Sequence, residues 1–292
     1  MIDLPRIASL LGQTPEQLKF AARKAETDHL PRIIRTGGKN RLLLVPRPRL
    51  RRLQRLFYDC VLRGLPVSDA ASCAPGRGVL WNARAHISQP YVSLRDLTNC
   101  FPSVRVEQVV GTLRSEGFDG EAARWAARLC TARGQLPQGA PTSPSLLNLL
   151  LKDLDTALLD LCKTRRAVYT RYVDDLCVSG PQGLRSLMTS VAREVKASGF
   201  RLNPGKTRDW GPRKPHTITG IVVATCLTPV PAYIRELRRT LRILPRRELA
   251  AGASSIRGKI QWVAQLDAKA AARLNGALTR RLGQRSEAEQ AS

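Results

Sequence analysis

The chain has 292 residues, enough to bury a sizeable core and to build two or three subdomains. Lys and Arg number 48 against 23 Asp and Glu, a net charge of +25, which points to a polyanionic partner rather than a merely soluble basic scaffold. Seven scattered cysteines without a C-x-x-C pair exclude a disulfide frame or a zinc site and fit a reduced, cytoplasmic protein.

The start Met1-Ile2-Asp3-Leu4 lacks the basic segment and apolar run of a secretory leader, and no apolar run approaches the ~20 residues that cross a bilayer. No membrane partner is expected. Residues 5–25 read as a helical leader, with Thr14-Pro15-Glu16-Gln17 starting a second helix. Gly37-Gly38-Lys39-Asn40 reads as a turn before a short strand, Arg41–Pro46, and residues 48–64 as a basic amphipathic helix. Asn82 and His86 lie four apart, on one helix face or in a turn; a lone histidine reads first as a hydrogen-bonded structural group. Tyr91–Leu97 is a buried strand ending in one carboxylate, Asp96. Helices follow at about 104–116 and 120–132. Gln135–Pro144 is then a Pro/Gly-dense loop that can present backbone N–H groups and the Gln138 amide, with Ser143 as N-cap of the next helix. That helix runs from Ser143 to about Lys163, and its leucines (146, 147, 150, 154, 158, 159) form a core stripe.

Ala167–Gly180 reads as a β-hairpin with Asp174 and Asp175 at its tip. Two adjacent carboxylates repel one another, so a site that keeps both ionised supplies a cation. Hard oxygen ligands suit Mg²⁺ or Mn²⁺, particularly with a substrate phosphate completing the coordination. The end of the 91–97 strand can bring Asp96 close to Asp174, as a two-metal site with ions roughly 3.5–4 Å apart requires. Residues 182–198 form a helix, and a sharp turn at Pro204-Gly205 presents Lys206 from a loop. Residues 217–224 form a strand. Beyond Val230 the pattern is helical and basic, 13 Arg and Lys against 5 Asp and Glu over 231–292. Arg235, Arg238, Arg239 and Arg242 recur at helical spacing, a face that suits an RNA stem or duplex. The tail after Leu282 is polar, Ala-rich and frayed.

Four segments, Asp96–Phe101, Leu136–Pro144, Tyr172–Asp175 and Leu202–Thr207, together resemble the ordered motifs of a reverse transcriptase. Asn82-Ala83-Arg84-Ala85-His86 resembles the Asn-Ala-x-x-His signature of the bacterial retron enzymes. Thr217–Ile221 is similar to their Val-Thr-Gly element, with Ile218 in place of Val. The form Gln138–Pro144 is also typical of retron enzymes; diversity-generating enzymes carry Ser-Gln where this chain has Ser143-Pro144. The resemblance covers roughly residues 35–285. It implies an α+β right-hand polymerase whose antiparallel palm sheet packs on helices. Residues 1–90 would be N-terminal helices and fingers, 91–228 palm (with finger-associated helices 104–165) and 229–292 a basic helical thumb.

The resemblance further implies RNA-directed DNA polymerase activity with two Mg²⁺ ions, Mn²⁺ being an alternative. Asp96, Leu97, Asp174 and Asp175 would hold the metal, and Lys206 would protonate the pyrophosphate leaving group or steer phosphates. Arg41 would hold the incoming deoxynucleoside triphosphate, unless it is a solvated strand-edge charge. Phe101 would block a 2′-hydroxyl, unless it is ordinary core, and Gln138 and Gly139 would position the nucleotide. Asn82, His86, Thr219, Gly220 and the four arginines from Arg235 to Arg242 would contact a cognate structured non-coding RNA. That RNA would serve as primer and template for an RNA–DNA hybrid, in antiphage defence alongside a separate effector protein. Two rival readings remain. One is another bacterial reverse transcriptase, of abortive-infection or group II type, although little chain follows the thumb to hold a maturase region. The other is a catalytically silent module that binds structured RNA, against which the presence of all three aspartates counts.

Overall fold

A computed structural model describes residues 1–36, 39–212 and 214–283; the turn expected at Gly37-Gly38 and the tail from residue 284 lie outside the described residues. Local signals set the first helices. α1 (Leu4–Leu10) begins at Asp3, whose carboxylate accepts from the Arg6 N–H at 2.8 Å. α2 (Pro15–Asp28) begins at a reciprocal cap: the Thr14 hydroxyl accepts from the Gln17 N–H, and the Gln17 side chain accepts from the Thr14 N–H. The expected short strand is one half of a ribbon. β1 (His29–Thr36) pairs antiparallel with β2 (Lys39–Pro46), His29 opposite Pro46. β1 carries no period-two pattern because little covers the ribbon; Ile33 is 69% and Leu42 54% exposed.

α3 (Pro48–Cys60) turns Leu50, Leu53 and Phe57 into the main core and leaves its arginines outside. α4 (Val79–Arg84) precedes β3 (Tyr91–Asp96), and the short α5 (Cys100–Ser103) follows it. The two helices expected next are α6 (Val106–Ser115) and α7 (Gly120–Cys130). The single long helix expected after them is two, α8 (Ser143–Leu150) and α9 (Lys152–Lys163). At Leu151 ψ opens to 6°, so the chain bends there while the Leu151 N–H still donates to the Leu147 carbonyl at 3.0 Å. Ser143 is not the N-cap. It is the first helical residue, and its hydroxyl donates back to the Pro137 carbonyl at 2.7 Å, closing the preceding loop.

β4 (Val168–Tyr172) and β5 (Asp175–Gly180) form the expected hairpin, followed by α10 (Arg185–Ala197) and β6 (Arg208–Trp210). These strands and β3 build one antiparallel sheet in the order β4-β5-β3-β6. Tyr169, Leu176 and Val178 join Leu147, Leu158 and Val191 of the helices in the main core. The strand expected at 217–224 is instead a meander of β7 (His216–Ile218), β8 (Ile221–Val223) and β9 (Leu227–Pro229). Thr219 and Gly220 make its first turn, with φ of +46° and +78°, the left-handed pair that a two-residue hairpin needs. Ile218, Ile221 and Val223 pack with Ala83, Val92 and Cys177 as a second small core over the sheet. α11 (Pro231–Ile243), α12 (Arg246–Ala251), α13 (Ala253–Ala264) and α14 (Ala268–Gly283) close on their own core of Leu237, Leu241, Leu249, Ile260, Val263 and Leu274. Among the described residues no helix is long and apolar enough to cross a membrane.

Candidate active site

Register brings the acidic residues together. β3 and β5 run antiparallel with Asp96 directly opposite Asp175, so both side chains leave the same face of the sheet. Asp174 comes from the two-residue turn between β4 and β5. One carboxylate oxygen from each of Asp96, Asp174 and Asp175 lies within 4.8 Å of the others. Val173, the other turn residue, has φ of +59°, a conformation that costs a β-branched side chain roughly 1–3 kcal/mol. The turn is held from both sides. The Leu97 N–H donates to the Asp174 carbonyl, and the Arg171 guanidinium donates to the Val173 carbonyl, each at 2.9 Å.

Lys206 is delivered by a single 3₁₀ turn, Pro204–Lys206. The Asn203 side chain caps that turn by accepting from the Gly205 N–H, and the Asn203 N–H donates to the Asp96 carbonyl at 2.8 Å. The Lys206 ammonium consequently donates to Asp96 Oδ2 at 2.5 Å. Burial, then the nearby Asp96 charge, holds Asp174 above the ordinary carboxylate range. Burial, then Asp174 and Asp96, pushes Asp175 from 3.8 up to about 6, although its side chain reaches solvent at the cleft mouth. Crowded hard-oxygen donors whose mutual repulsion a divalent ion would relieve fit Mg²⁺ or Mn²⁺.

This crowding makes metal binding pH-dependent. A carboxylate whose folded pKa is raised contributes stability that is present below its unfolded value and lost as pH rises through about 6. Divalent ions should therefore stabilise the fold most above pH 6. Mn²⁺ affinity should fall by roughly tenfold per pH unit well below that point, as protons compete for the same oxygens. Mn²⁺ titrations and melting curves at pH 5 and 7.5 check this; equal affinity at both would refute it.

The acidic triad opens onto a cleft of about 430 Å³ rimmed also by Arg41, Lys206, Thr219 and Gly220. Arg41 is exposed on β2, and its charge draws Asp174 down against the other influences. Leu97 is 1% exposed with its side chain in the main core, which confines any cation contact to its main-chain carbonyl. Phe101 sits on α5, largely within that core, and is not on the cleft rim. The Gln138 carbonyl accepts from the Leu44 N–H at 2.9 Å, tying its loop to β2. Gly139 there has φ of +125°, and a Cβ would lie 3.2 Å from the Leu44 carbonyl oxygen, so the approach requires glycine.

His86 is a hydrogen-bonded structural group, as a lone histidine first reads, and Asn82 beside it also lines the acidic cleft. Asn82 and His86 are 1% and 0% exposed, and the Asn82 Oδ1 and both His86 ring nitrogens are bonded inside the protein. Asn82 Oδ1 accepts from the hydroxyls of Ser72 at 2.7 Å and Thr170 at 2.6 Å. Thr170, having donated, accepts from His86 Nε2 at 2.8 Å, which leaves Nδ1 to accept from Ser179 at 2.6 Å. The chain of bonds thus fixes the neutral Nε2–H tautomer. Burial, with His216 adding to it, lowers the His86 pKa to about 3. The pair fastens α4 and its following turn to β4 and β5. On α11, Arg235, Arg238, Arg239 and Arg242 are exposed. Arg238 and Arg242 line a groove of about 520 Å³ with Arg273, Arg280 and Arg281 of α14.

Sequence reasoning missed Arg171 and Asp155, a fully buried ion pair beneath the hairpin with N–O distances of 2.6 and 2.8 Å. The available signal was an arginine inside a β-prone run and an aspartate on the leucine side of an otherwise amphipathic helix.

Comparison with known proteins agrees with this geometry. Residues 33–223 match the family Reverse transcriptase (RNA-dependent DNA polymerase). The retron Mx162 reverse transcriptase of Myxococcus xanthus is 33% identical over 277 residues, covering 80% of this chain and 57% of that protein. The retron Mx65 enzyme of the same organism is 34% identical over 266 residues (82% and 61%). The retron Ec86 reverse transcriptase of Escherichia coli is 30% identical over 206 residues (68% and 62%). The matches thus span 57–62% of the length of these relatives. Among solved structures, telomerase from Candida albicans, bound to a fragment of telomeric RNA, superposes with a TM-score of 0.52 at 9% identity, covering 90% of this chain and 62% of that one. Apo telomerase from Candida tropicalis gives 0.53 at 10% identity, with 88% and 58% covered. At such identity the likeness is one of fold, the right-hand polymerase. Matched span, fold and acidic triad agree: the chain is similar to retron enzymes and belongs to the reverse transcriptase family.

Proposed function

We propose that this protein is an RNA-directed DNA polymerase that uses a structured non-coding RNA as primer and template. The observation that carries the reading is the convergence of Asp96, Asp174 and Asp175 within 4.8 Å. When bound, two Mg²⁺ ions would lower the pKa of the attacking primer hydroxyl and neutralise charge on the triphosphate and pyrophosphate. Asp96, Asp174 and Asp175 would hold the ions, with the Leu97 carbonyl assisting. Lys206, already at the cleft, would turn from Asp96 to the phosphates and protonate the leaving pyrophosphate. Arg41 would hold the triphosphate from the β1–β2 ribbon, and the Gln138–Gly139 loop behind that ribbon would set the nucleotide's position. Phe101 would stand beneath the sugar. Thr219 and Gly220 at the cleft rim, and the α11 arginines, would grip the RNA stem and the growing hybrid.

In this reading residues 1–90, 91–228 and 229–292 act as fingers, palm and thumb. The product is an RNA–DNA hybrid, made in the cytoplasm for antiphage defence with a separate effector protein. The test is primer extension on an RNA template with Mg²⁺ or Mn²⁺. Deoxynucleotide incorporation should be abolished by EDTA and by Asp174→Ala, while that variant still binds RNA. Unchanged incorporation by Asp174→Ala would sink the assignment.

A further inference from the structure

We infer that Arg171, held by Asp155, is a positioning residue that aims the Asp174 turn at the metal site, an inference that rests on the function proposed above. Alternation along β4 puts Tyr172 on the sheet face of Asp175, its register partner, and Arg171 in the helical layer beneath. There the guanidinium is 0% exposed. Nε and one terminal nitrogen donate to the two oxygens of Asp155 on α9, at 2.8 and 2.6 Å. The other terminal nitrogen donates to Asn148 Oδ1 on α8 at 3.0 Å and to the Val173 carbonyl at 2.9 Å. The Tyr169 hydroxyl also donates to Asp155, at 2.9 Å, and the Asn148 amide donates to the Cys73 carbonyl at 2.7 Å. The Arg171 backbone bonds the loop before α4, donating to Ala70 and accepting from Ser72, both at 2.8 Å.

Stability alone does not explain this arrangement. Desolvating two charges is costly, and a well-packed apolar trio is often as stable as a buried ion pair. What an apolar trio lacks is the bond to Val173, the residue held at φ of +59° next to the catalytic aspartate. With the Leu97 N–H on the Asp174 carbonyl, both carbonyls of the turn are pinned, one from the neighbouring strand and one from below. Arginine suits the task because its planar fork can satisfy a carboxylate and two further acceptors at once, which a lysine ammonium cannot do in this geometry.

The test uses Arg171→Lys and the trio Arg171→Met/Asp155→Leu/Tyr169→Phe, both measured well below their melting temperatures. Mn²⁺ binding to the protein alone, by electron paramagnetic resonance, is read beside kcat and the Mg²⁺ concentration for half-maximal primer extension. The trio should melt cooperatively near the wild-type temperature. In both variants Mn²⁺ binding should weaken, and kcat should fall on the order of 100-fold, the loss a ~1 Å misplacement of a reacting group produces. Folded variants with wild-type Mn²⁺ affinity and wild-type kcat would overturn the inference and leave the pair a structural one; if the trio does not fold, Arg171→Lys decides. A wild-type protein that binds Mn²⁺ but polymerises nothing would defeat the proposed function, with the Mn²⁺ measurement still deciding the role of Arg171.

Discussion

Asp96→Asn should lower nucleotide incorporation by about 1,000-fold or more, equivalent to ~4 kcal/mol of lost transition-state stabilisation, with little change in folding. Asp96 is 5% exposed at the end of β3, facing Asp175 across the register, with Lys206 and Asn203 as its two donors. Asparagine keeps the shape and one acceptor, which Lys206 would take. The other oxygen, which accepts from the Asn203 amide, becomes an amide donor that cannot ligate a cation. Stability moves little because two effects oppose. The pair with Lys206, itself 44% exposed, is lost but is screened by water, and repulsion with Asp174 and Asp175 is relieved. Single-turnover incorporation beside a thermal melt separates the two quantities. Incorporation within tenfold of wild type would mean that Asp96 holds no metal.

Phe57→Ala should cost about 3–5 kcal/mol of folding free energy, a large share of the ~5–15 kcal/mol that holds a typical domain. Phe57 is 0% exposed on α3 and meets Phe118 edge-to-face, ring centroids 6.5 Å apart at 76°. It belongs to the main core on α3, a helix packed against α1 and α2, so alanine would leave a cavity among close-packed side chains. Urea titration should show the midpoint falling with an unchanged slope. Leu42→Ala on the exposed ribbon is the control and should shift stability by no more than ~0.5 kcal/mol. Similar shifts in the two variants would contradict the packing described.

Features written in a few consecutive residues were legible before any coordinates. The Thr14 cap, the 91–97 strand, the hairpin around Asp174 and the loop presenting Lys206 all depend on local propensity and turn chemistry, and the structure has them. The misreadings share a cause. β1 went unread because its ribbon is too exposed to need alternation. The bend at Leu151 is invisible in a leucine stripe that continues at helical spacing through it. Ser143 looked like a cap because the Pro137 carbonyl that takes its proton is placed by a folded loop. His86 is the hydrogen-bonded group its isolation suggests, but which residues hold it and Asn82 is not readable locally, because Ser72, Thr170 and Ser179 lie on other segments.

From its order of residues alone this protein is basic and carries three carboxylates and a lysine, residue types that suit divalent metal and phosphate, while the α+β fold was implied by motif resemblance. Charge and turn chemistry belong to each residue and its near neighbours, and need no fold to be read. Only the tertiary structure decided that Asp96 stands opposite Asp175, that His86 is sealed and neutral, and that Arg171 grips the Val173 carbonyl from below. Register, burial and the partner of a buried charge arise where distant segments meet, so no local pattern carries them.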